Sequence, residues 1–534
     1  MTERIYLSTT IPYVNARPHL GHALELVQAD VLARHARQRG AEVWFQTGTD
    51  DNSLKQVMAA QAQGVPVRDL VSRHAAEFAG LRGPLDLSFD DFIQTGSDPR
   101  HRPAAERIWR ACAARGDLYL RQYEGLYCVG CEQFYQPAEL SSGRCPEHGT
   151  EPEAVSEQNW FFRLSRYAGP VRDLISSGRL RVEPAARRNE VLGFIAAGLE
   201  DFSISRSTQR AHGWGIPVPG DPGQVMYVWW DALCNYISSL GYGTGDPGYR
   251  RWWLGSDRRV HLLGKGVLRF HAVYWPAMLL SAGEPLPTDV LVHDYLTIDG
   301  HKISKSSRRV SSRPGKRGDT TDPVALATDF GTDAVRWWLL REVPRVGDAD
   351  FTAARLTGRA NADLAGGLGN LVSRTVAMVH RYRGGVVPGD GAVTADPGAG
   401  ELAGLCLRVP GQVREALNGY DFRTATAAVW QIVDAANRYI EQAAPWRLAR
   451  AEARCDGEDD EAAAAAAARL DTVLATAIGA CRCLAVQLAP FVPGAAARVA
   501  AQCWPAPCWP APGGPAPGGP AGLPAAEPVF ARIV

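Results

Sequence analysis

The pattern of apolar and polar positions near the amino terminus predicts a strand, a loop and a helix in close succession. Residues 5–10 form a short apolar run typical of a buried strand, and Pro12 and Pro18 then interrupt regular structure. From Leu20 onward apolar residues recur at helical spacing until Gly40, which ends the helix. This unit is typical of doubly wound α/β domains, which bind ligands beyond the carboxyl ends of their strands.

Later segments repeat the strand pattern before the chain becomes helical. Residues 42–49, 226–232, 260–265 and 290–298 are apolar runs of strand length. Residues 350–500 are instead rich in alanine and show long helical periodicity, which favours a helical bundle. The predicted fold class is therefore α/β, a Rossmann-like doubly wound parallel sheet, followed by an α-helical bundle.

Composition narrows the class of protein. A chain of 534 residues is too long for one core, and its 46% hydrophobic content is that of a globular protein. The 57 basic and 57 acidic residues cancel, so any RNA-binding surface must come from local patches. We find no apolar run of about 18 residues and no signal-peptide pattern, so we expect a cytoplasmic protein without a membrane span.

The cysteine pattern contains one candidate metal site. Eleven scattered cysteines indicate reduced thiols, not a disulfide framework. Cys128 and Cys131 are followed by Cys145 and His148, so that two close pairs of soft ligands lie thirteen residues apart. This spacing matches tetrahedral zinc, and we predict a structural Zn²⁺ site. The alternative is a knuckle of reduced thiols that holds no metal.

Two short motifs lie far apart in the chain. His-Leu-Gly-His at residues 19–22 opens the first helix, and Lys-Ile-Ser-Lys-Ser at residues 302–306 lies in a polar loop. Each alone is weak, because loop histidines and lysines are more often solvated surface residues. Together they resemble the two signatures of class I aminoacyl-tRNA synthetases. From about residue 1 to residue 500 the chain resembles the methionyl-tRNA synthetases, and the Cys/His pattern is similar to the single zinc knuckle of their connective insertion.

The resemblance implies a methionine–tRNA ligase that uses ATP, L-methionine and tRNA(Met), with Mg²⁺ accompanying ATP. Methionine would first form methionyl-adenylate and then be transferred to the 3′ end of the tRNA. Imidazole donors and loop lysines suit phosphate oxygens. The residues implied in catalysis are His19, His22, Lys302 and Lys305. Those implied in further contacts to ATP are Gly21, Gly264, Lys265 and Ser304.

The resemblance also implies that a set of apolar residues forms a methionine pocket. By pattern alone these aromatic residues belong to a core. In the family a carboxylate receives the substrate amino group, a role that falls on Asp50, and a Tyr236 hydroxyl and the Ile11 N–H would donate weakly to the sulfur. Aromatic rings pack well against a thioether. The implied pocket comprises Ile11, Tyr13, Asp50, Trp229, Ala232, Tyr236, Val267, His271 and Trp275.

Three residues of the predicted bundle match those that read the anticodon in the family. Asn370 and Arg374 are four apart and so share one helix face, and Trp446 follows Ala444 and Pro445 at the end of another helix. An arginine or tryptophan that stacks on an unpaired base, with an amide on the base edge, is a common way to read single-stranded RNA. We therefore expect tRNA to be a partner.

Three departures from the family pattern leave two alternatives open. Residues 52 and 53 are Asn-Ser where His-Gly is common, and Gly266 stands where the family has an acidic residue near the ribose of ATP. A lengthened basic stretch also follows Ser306. The chain could be a specialised paralogue that activates methionine or an analogue for another acceptor, or a resistant second copy. From a different class, it could be a tRNA-binding homologue without catalysis.

The predicted domain organisation follows these segments. Residues 503–528 are a Pro/Gly-rich, low-complexity tail, expected to be extended or disordered apart from its last few residues. Since no appended module is recognised, we expect a monomer. The predicted segments are a first Rossmann half at 1–114, a connective insertion at 115–225, a second Rossmann half at 226–290, the KISKS loop and stem-contact region at 291–350, the anticodon-binding bundle at 351–500 and the tail at 501–534.

Overall fold

The computed structural model of the chain describes residues 2–128, 133–146, 149–298, 300–303, 321–389, 397–454, 460–504 and 522–533. Within them the strands are β1 Arg4–Thr9, β2 Glu42–Thr49, β3 Asp91–Gln94, β4 Leu118–Cys128, β5 Gln133–Tyr135, β6 Glu153–Phe162, β7 Arg181–Glu183, β8 Phe202–Ser203, β9 Ser205–Ser207, β10 Pro217–Val218, β11 Asp221–Met226, β12 Arg258–Gly264, β13 Asp289–His293, β14 Leu296–Ile298, β15 His301–Lys302 and β16 Ala349–Asp350.

The helices of the same residues are α1 Leu20–Gln38, α2 Leu54–Gln63, α3 Val67–Ala79, α4 His101–Ala114, α5 Ala168–Ser176, α6 Ala185–Ala196, α7 Val228–Leu233, α8 Asn235–Ser238, α9 Trp275–Ala282, α10 Pro323–Phe330, α11 Thr332–Arg341, α12 Ala353–Arg359, α13 Asn370–Arg383, α14 Pro397–Asn418, α15 Phe422–Ala443, α16 Pro445–Glu452, α17 Asp460–Leu488 and α18 Pro493–Cys503. Wider π-helical turns, Phe270–Tyr274 and Ala360–Gly369, lead directly into α9 and α13.

A six-stranded parallel sheet positions the candidate site. Its strand order is β3-β2-β1-β12-β13-β7, so the connections run outward in opposite directions from β1 and β12. The loops that follow β1 and β12 therefore diverge at the carboxyl edge of the sheet, where doubly wound folds bind their ligands. The predicted doubly wound sheet is confirmed, with β1, β2 and β12 at the predicted places.

One predicted strand is wrong. The run 226–232 is not a strand: β11 ends at Met226, and Val228–Leu233 is a helix whose extended N-cap is Tyr227. Aromatic and β-branched residues favour strands locally, but here the helix buries Trp230 and Asp231 against the core, and that tertiary packing overrides propensity. The run 290–298 is likewise divided, since β13 ends at His293 and β14 begins at Leu296.

The stretch between β3 and β12 adds two small antiparallel sheets to the parallel one. Strands β5, β4, β6 and β8 form the first, and β10, β11 and β9 form the second. However, β7 (Arg181–Glu183), inside the predicted insertion, pairs in parallel with β13 and so extends the main sheet. The predicted division of the chain at residues 115 and 225 stays a prediction.

Helices α13 to α18 form the predicted bundle. The segment Glu461–Leu488 is long and apolar enough to cross a membrane by length and composition alone, with a mean hydropathy of 1.3. This corrects the expectation of no such run, which overlooked the effect of many small alanines. Of the residues in its most apolar window, 56% are buried, and Leu470, Leu474 and Ile478 are fully enclosed, so it is the central helix of the bundle.

The last described segment, residues 522–533, returns across the bundle. Leu523 N–H donates to the Gly385 carbonyl at 2.8 Å, and Ile533 N–H donates to Asn361 Oδ1 at 2.8 Å. The side chain of Val529 is buried in the same cluster as the bundle core. The end of the predicted tail is thus fixed on the helices, while residues 505–521 lie outside the described part of the chain.

A buried ion pair joins the sheet domain to the bundle. Arg336 of α11 and Asp30 of α1 are both fully buried, with Nη2 2.8 Å from Asp30 Oδ2. Burial alone would raise the pKa of Asp30, but Arg336 and Arg34 outweigh it and lower that pKa. The remaining guanidinium N–H groups donate to the backbone carbonyls of Phe491, Leu85, Asp86 and Pro490.

Replacing Arg336 tests this connection. Arg336→Met should reduce the free energy of unfolding in urea by about 3–5 kcal/mol at pH 7, because it leaves a buried carboxylate without its main partner. A lowered pKa stabilises the fold above the ordinary aspartate range, and this stabilisation is lost as pH falls. The loss should therefore be smaller at pH 4. As a control, Arg102→Met, which breaks exposed contacts to Glu106, should cost at most about 1 kcal/mol. Equal effects of the two substitutions would contradict this account.

Candidate active site

The two histidines of residues 19–22 cap the first helix reciprocally. His19 is the N-cap of α1, and its Nδ1 accepts a hydrogen bond from Gly21 N–H at 3.1 Å. His22 Nδ1 in turn accepts from His19 N–H at 3.0 Å, and the two rings stack with centroids 3.8 Å apart. A neutral ring whose Nδ1 accepts carries its proton on Nε2. Both half-buried rings therefore offer an Nε2–H donor at the positive end of a helix.

Gly21 is required by the ring of His19. A Cβ at position 21 would lie 2.9 Å from His19 Cε1 and 3.1 Å from Nδ1, closer than packed carbon atoms allow. In the structure the missing side chain at position 21 leaves room for the capping imidazole of His19. The contact of Gly21 with ATP that the resemblance implies stays a prediction.

The chain approaches this loop again after the second motif. Ile303 is buried in the main core, with its N–H donating to the Leu296 carbonyl at 3.0 Å. Beyond the motif, the Thr321 carbonyl accepts from Leu20 N–H at 2.8 Å, at the first residue of α1. The backbone of Lys302 pairs in β15, whereas its side chain and all of Ser304 and Lys305 lie outside the described residues. Their predicted contacts to ATP stay predictions.

Gly264 and Lys265 lie at the end of β12, beside the loop that follows β1. The Thr10 N–H donates to the Leu262 carbonyl at 3.2 Å, which joins the two strand ends. Lys265 Nζ is 2.6 Å from Asp348 Oδ1 and lies 4.5 Å from the centre of the Tyr295 ring. Lys265 therefore reaches a phosphate only by leaving Asp348, which limits its predicted contact to ATP.

Aromatic side chains from three segments form a packed cluster next to these strand ends, where the methionine pocket is predicted. Trp229 stacks on Phe270 with ring centroids 3.8 Å apart and meets the edge of Tyr13 at 6.2 Å. Tyr236 lies 5.6 Å from His271 and 6.0 Å from Trp275. The structure thus brings together five of the predicted methionine residues. Ala232 is buried, and Ile11 and Val267 are half-buried.

The hydrogen bonds of His271 determine the direction in which the Tyr236 hydroxyl donates. His271 Nδ1 is 2.8 Å from the Val267 carbonyl, which can only accept, so Nδ1 carries the proton. Burial lowers the pKa of His271 to about 4, so the ring is neutral and Nε2 is an acceptor. The Tyr236 hydroxyl, 2.7 Å from Nε2, therefore donates to His271. A donation from Tyr236 to sulfur would require the loss of this hydrogen bond, and the predicted donation stays a prediction.

Two carboxyl groups follow β2 with different surroundings. Asp50 is buried and bridges to Tyr13, and its Oδ1 accepts from Asn52 N–H at 3.1 Å. Asp51 is also buried, and its Oδ1 has no hydrogen-bond partner within the described chain. Burial, with the charge of Asp231 as a smaller contribution, raises the pKa of Asp51 to about 7. Asp51 thus holds its proton through most of the acid range, and the contact of Asp50 with the substrate amino group stays a prediction.

Two contributors to the pocket were not predicted from sequence. Phe270 is the stacking partner of Trp229, and His261 of β12 accepts from Trp275 Nε1 at 3.2 Å. The Nδ1 atom of His261 lies 2.6 Å from Ser8 Oγ. Burial keeps the pKa of His261 well below the usual range. The signal for His261 was a polar residue within an apolar strand, and such a residue needs partners on neighbouring strands.

Two of the four predicted metal ligands lie within the described part of the chain. Cys128 and Cys145 are buried together against Tyr135, whereas Cys131 and His148 lie outside the described residues. Within those residues, no group of three or more side chains suited to a metal is formed.

In the bundle, Asn370 is exposed on α13, and Arg374 pairs with Glu441 and with Asn437 Oδ1 of α15.

Trp446 lies in the first turn of α16, half-buried against the bundle core. The preceding Ala444 has a positive φ of 45°, which ends α15 and redirects the chain. Since Glu441 is in the last turn of α15, the contact of Arg374 with it brings α13 next to the α15–α16 corner. Asn370 and Arg374 lie on one helix as predicted, whereas Trp446 begins a new helix and does not end the preceding one. The contacts of all three residues with RNA stay predictions.

Comparisons with known proteins agree with this geometry. A family model described as tRNA synthetases class I (M) matches residues 5–152 and 135–376. The methionine–tRNA ligase of Mesorhizobium japonicum is 40% identical over 502 residues, covering 93% of this chain and 90% of the relative. That of Mycobacterium leprae is 39% identical over 503 residues, covering 92% and 88%. The chain belongs to the methionyl-tRNA synthetases.

A solved structure supports the same assignment. The structure of Mycobacterium tuberculosis methionyl-tRNA synthetase in complex with methionyl-adenylate matches with a TM-score of 0.89 and 36% identity, covering 99% of this chain and all of that one. The predicted family, the α/β fold class and the enzyme class, an aminoacyl-tRNA ligase specific for methionine, are therefore confirmed. The specialised paralogue and the non-catalytic homologue are the less supported alternatives.

The raised pKa of Asp51 predicts how stability depends on pH. A carboxyl group whose folded pKa is about 7 binds more protons in the folded than in the unfolded state between about pH 4 and pH 7. The group therefore destabilises the fold as pH rises through that window. Asp51→Asn should remove this effect, so that the melting temperature of the variant relative to the unmodified chain rises from pH 5 to pH 8.

The exposed Asp329 gives a matched control, since Asp329→Asn should produce the same small shift at both pH values. Thermal unfolding followed by circular dichroism measures both variants. A relative melting temperature for Asp51→Asn that does not change between pH 5 and pH 8 would show that Asp51 titrates normally.

Proposed function

We propose that the chain activates L-methionine with ATP at the β1–β12 edge and transfers it to the 3′ end of tRNA(Met). The observation that carries this proposal is the reciprocal His19–His22 cap beside an aromatic pocket, at the point where the sheet changes direction. The methionine carboxylate attacks the α-phosphate, and pyrophosphate leaves. A ribose hydroxyl of the tRNA then attacks the activated carbonyl, and AMP leaves.

The first step needs alignment and charge stabilisation, since a carboxylate attacks without a base. His19 and His22 present Nε2–H donors on one side, and these donors bind phosphate oxygens of ATP. Lys302 and Lys305 act on the β- and γ-phosphates as point charges, with Ser304 beside them. Mg²⁺ bound with ATP neutralises part of the triphosphate charge. Both histidines are neutral donors in this scheme, and neither transfers a proton.

Methionine recognition relies on neutral, apolar surroundings. Trp229, Tyr13 and the edge of His271 enclose the side chain, and the carboxylate of Asp50 receives the ammonium group. Because His271 is uncharged and its hydrogen bonds are internal, the pocket presents ring faces and not a buried charge. The enclosed rings favour a polarizable thioether. The backbone N–H of Ile11 stays the candidate donor to sulfur.

The anticodon end of the tRNA binds at the α13 and α15–α16 corner. Asn370 lies exposed there, and Arg374 must exchange its contact with Glu441 for an unpaired base. Trp446 at the start of α16 stacks on another base. We further propose that the chain acts as a cytoplasmic monomer that does not bind a membrane.

Cys128, Cys131, Cys145 and His148 are the residues that would hold a structural Zn²⁺. Support comes from Cys128 and Cys145, which lie in one buried cluster although seventeen positions separate them in the chain. Buried thiols at a strand end and a following turn are a donor set that zinc prefers. When bound, the ion would fix the connection between β4 and β6 and take no part in the reaction.

Metal content tests the zinc proposal without reference to activity. The purified chain should contain about one zinc per molecule by mass spectrometry, and Cys145→Ser should reduce this strongly, since a structural site needs all four ligands. The partly buried thiol of Cys406 provides the control, because Cys406→Ser should leave the zinc content unchanged. Zinc retained by Cys145→Ser, or a folded chain without zinc, would contradict the proposal.

The phosphate assignment is tested by Lys305→Ala. Removing a charge from the β- or γ-phosphate should slow methionine-dependent pyrophosphate exchange by about 100-fold or more, since single charge-stabilising groups contribute this much. The affinity for methionine, followed by tryptophan fluorescence, should change less than about two-fold. Lys316→Ala, in the same basic stretch, is the matched control and should leave exchange unchanged. Comparable losses of exchange and methionine binding would refute the assignment.

Aminoacylation tests the function as a whole. The unmodified chain should charge initiator and elongator methionine tRNAs with methionine, and excess leucine should not compete. Pyrophosphate exchange without aminoacylation would favour the specialised paralogue. A chain that binds tRNA but forms no adenylate would be the non-catalytic homologue.

A further inference from the structure

Two pairs of cysteine thiols lie in the helical bundle. The thiol of Cys406 on α14 contacts that of Cys483 on α17, and the thiol of Cys481, also on α17, contacts that of Cys503 on α18. All four cysteines carry free thiols in the structure. Neither pair belongs to the candidate active site or to the predicted zinc ligands. The bundle therefore holds neighbouring thiols that the proposed function does not use.

The first pair connects two packed helices at the surface of the bundle. Helices α14 and α17 are in contact, and the Cys483 thiol donates to the Cys406 backbone carbonyl at 3.6 Å. The Cys483 thiol is also hydrogen-bonded to the Cys406 thiol. Both residues are half-buried at the edge of the main core, and the adjacent Leu407 is 83% exposed. A small solute can therefore reach this pair from the solvent.

The second pair lies deeper in the bundle. Cys481 and Cys503 are both fully buried, and their thiols are hydrogen-bonded to each other. Two positions along an α-helix rotate a side chain by about 200°, so Cys481 and Cys483 point to different sides of α17. The enclosed pair is a control within the same molecule, because it has the chemistry of the first pair without its access to solvent.

Cys406 is the more reactive member of the half-buried pair. The hydrogen bond from Cys483 lowers the pKa of the Cys406 thiol and outweighs the opposite effect of partial burial. The thiolate, and not the thiol, is the form of cysteine that attacks an oxidant. Cys483 then lies where a second thiol can react with the product of that attack. An accessible, more acidic cysteine next to a second cysteine is typical of redox-sensitive sites.

We propose that Cys406 and Cys483 are a site of oxidation by hydrogen peroxide, which joins α14 to α17 through a disulfide. The Cys406 thiolate attacks one peroxide oxygen, the O–O bond breaks, and the leaving hydroxide takes up a proton to become water. The Cys483 sulfur then attacks the sulfenic acid on Cys406, and its proton leaves with the departing oxygen as a second water. Two thiols are oxidised while one peroxide is reduced. The inference goes beyond the proposed function and does not depend on it.

Peptide mapping of the oxidised chain tests this site. The full chain is treated with hydrogen peroxide, its remaining thiols are blocked with iodoacetamide, and it is digested with trypsin without reduction. Because Arg482 lies between Cys481 and Cys483, trypsin places these two cysteines on different peptides. We expect peptide 384–408 linked to peptide 483–498, each of which contains one cysteine, with a combined mass lower by two hydrogens. Dithiothreitol should release both peptides.

Serine variants separate the two pairs of thiols. Cys406→Ser and Cys483→Ser should each abolish the linked peptide, whereas Cys503→Ser should leave its yield unchanged. In the unmodified chain this link should form about 10-fold faster or more than any link to the enclosed Cys481, because burial in apolar surroundings makes a thiol inert. The melting temperature of each variant under reducing conditions shows that it is folded, and the measurement on the unmodified chain needs no substitution.

Three results would overturn the proposal. The first is a link from Cys406 to Cys481 in place of Cys483, and the second is oxidation of the two pairs at equal rates. The third is the absence of any link at peroxide concentrations that oxidise a free cysteine peptide, with or without sulfinic acid on Cys406. These measurements need neither ATP, methionine nor tRNA. A chain without methionine-dependent pyrophosphate exchange would refute the proposed function and leave this site unaffected.

Discussion

The buried pair of Asp30 and Arg336 is the interaction on which the arrangement of the molecule depends. Asp30 lies in the middle of α1, the helix whose first turn carries His19 and His22, and Arg336 binds backbone carbonyls at the junction of the bundle helices. Because all donors of the planar Arg336 guanidinium are paired, the group fixes both the distance and the relative orientation of the segments that it joins. A lysine ammonium could not fix the orientation. The orientation of α1 against the bundle, and thus of the nucleotide edge against the anticodon corner, follows from this contact.

The elements most readily predicted from sequence are those whose local and tertiary preferences agree. Strands β1, β2 and β12 are buried on both faces, so their continuous apolar runs identify them. Helix α1 is recognisable from its spacing and its glycine. The strand prediction for residues 226–232 was wrong. The aromatic residues that favour a strand locally lie here in a helix that buries Trp230 in the core. Local preference does not include that packing, so this difference could not be derived from the sequence.

Within the candidate site, residue identities were more predictable than their hydrogen bonds. The aromatic pocket contains Trp229, Tyr236 and His271 together as expected, but the direction of the Tyr236 hydrogen bond depends on a carbonyl at Val267 that fixes the His271 tautomer. Likewise Gly266 was recognised as a departure, whereas the close approach of the Tyr295 hydroxyl to Gly266 required coordinates, because 29 positions separate the two residues. The spacing of residues in the sequence indicates which side chains take part in a site. The direction of a hydrogen bond and the steric contact between distant residues follow only from the three-dimensional structure.

The reciprocal cap at the start of α1 has a consequence for how the two imidazoles can be studied. The Nδ1 atom of His19 accepts from the backbone N–H of Gly21, and the Nδ1 atom of His22 accepts from the backbone N–H of His19. Truncating either side chain therefore frees an amide and loosens the surviving ring as well. Single and double substitutions at these positions will be strongly non-additive, so the pair behaves as one functional unit whose energy cannot be divided between its members.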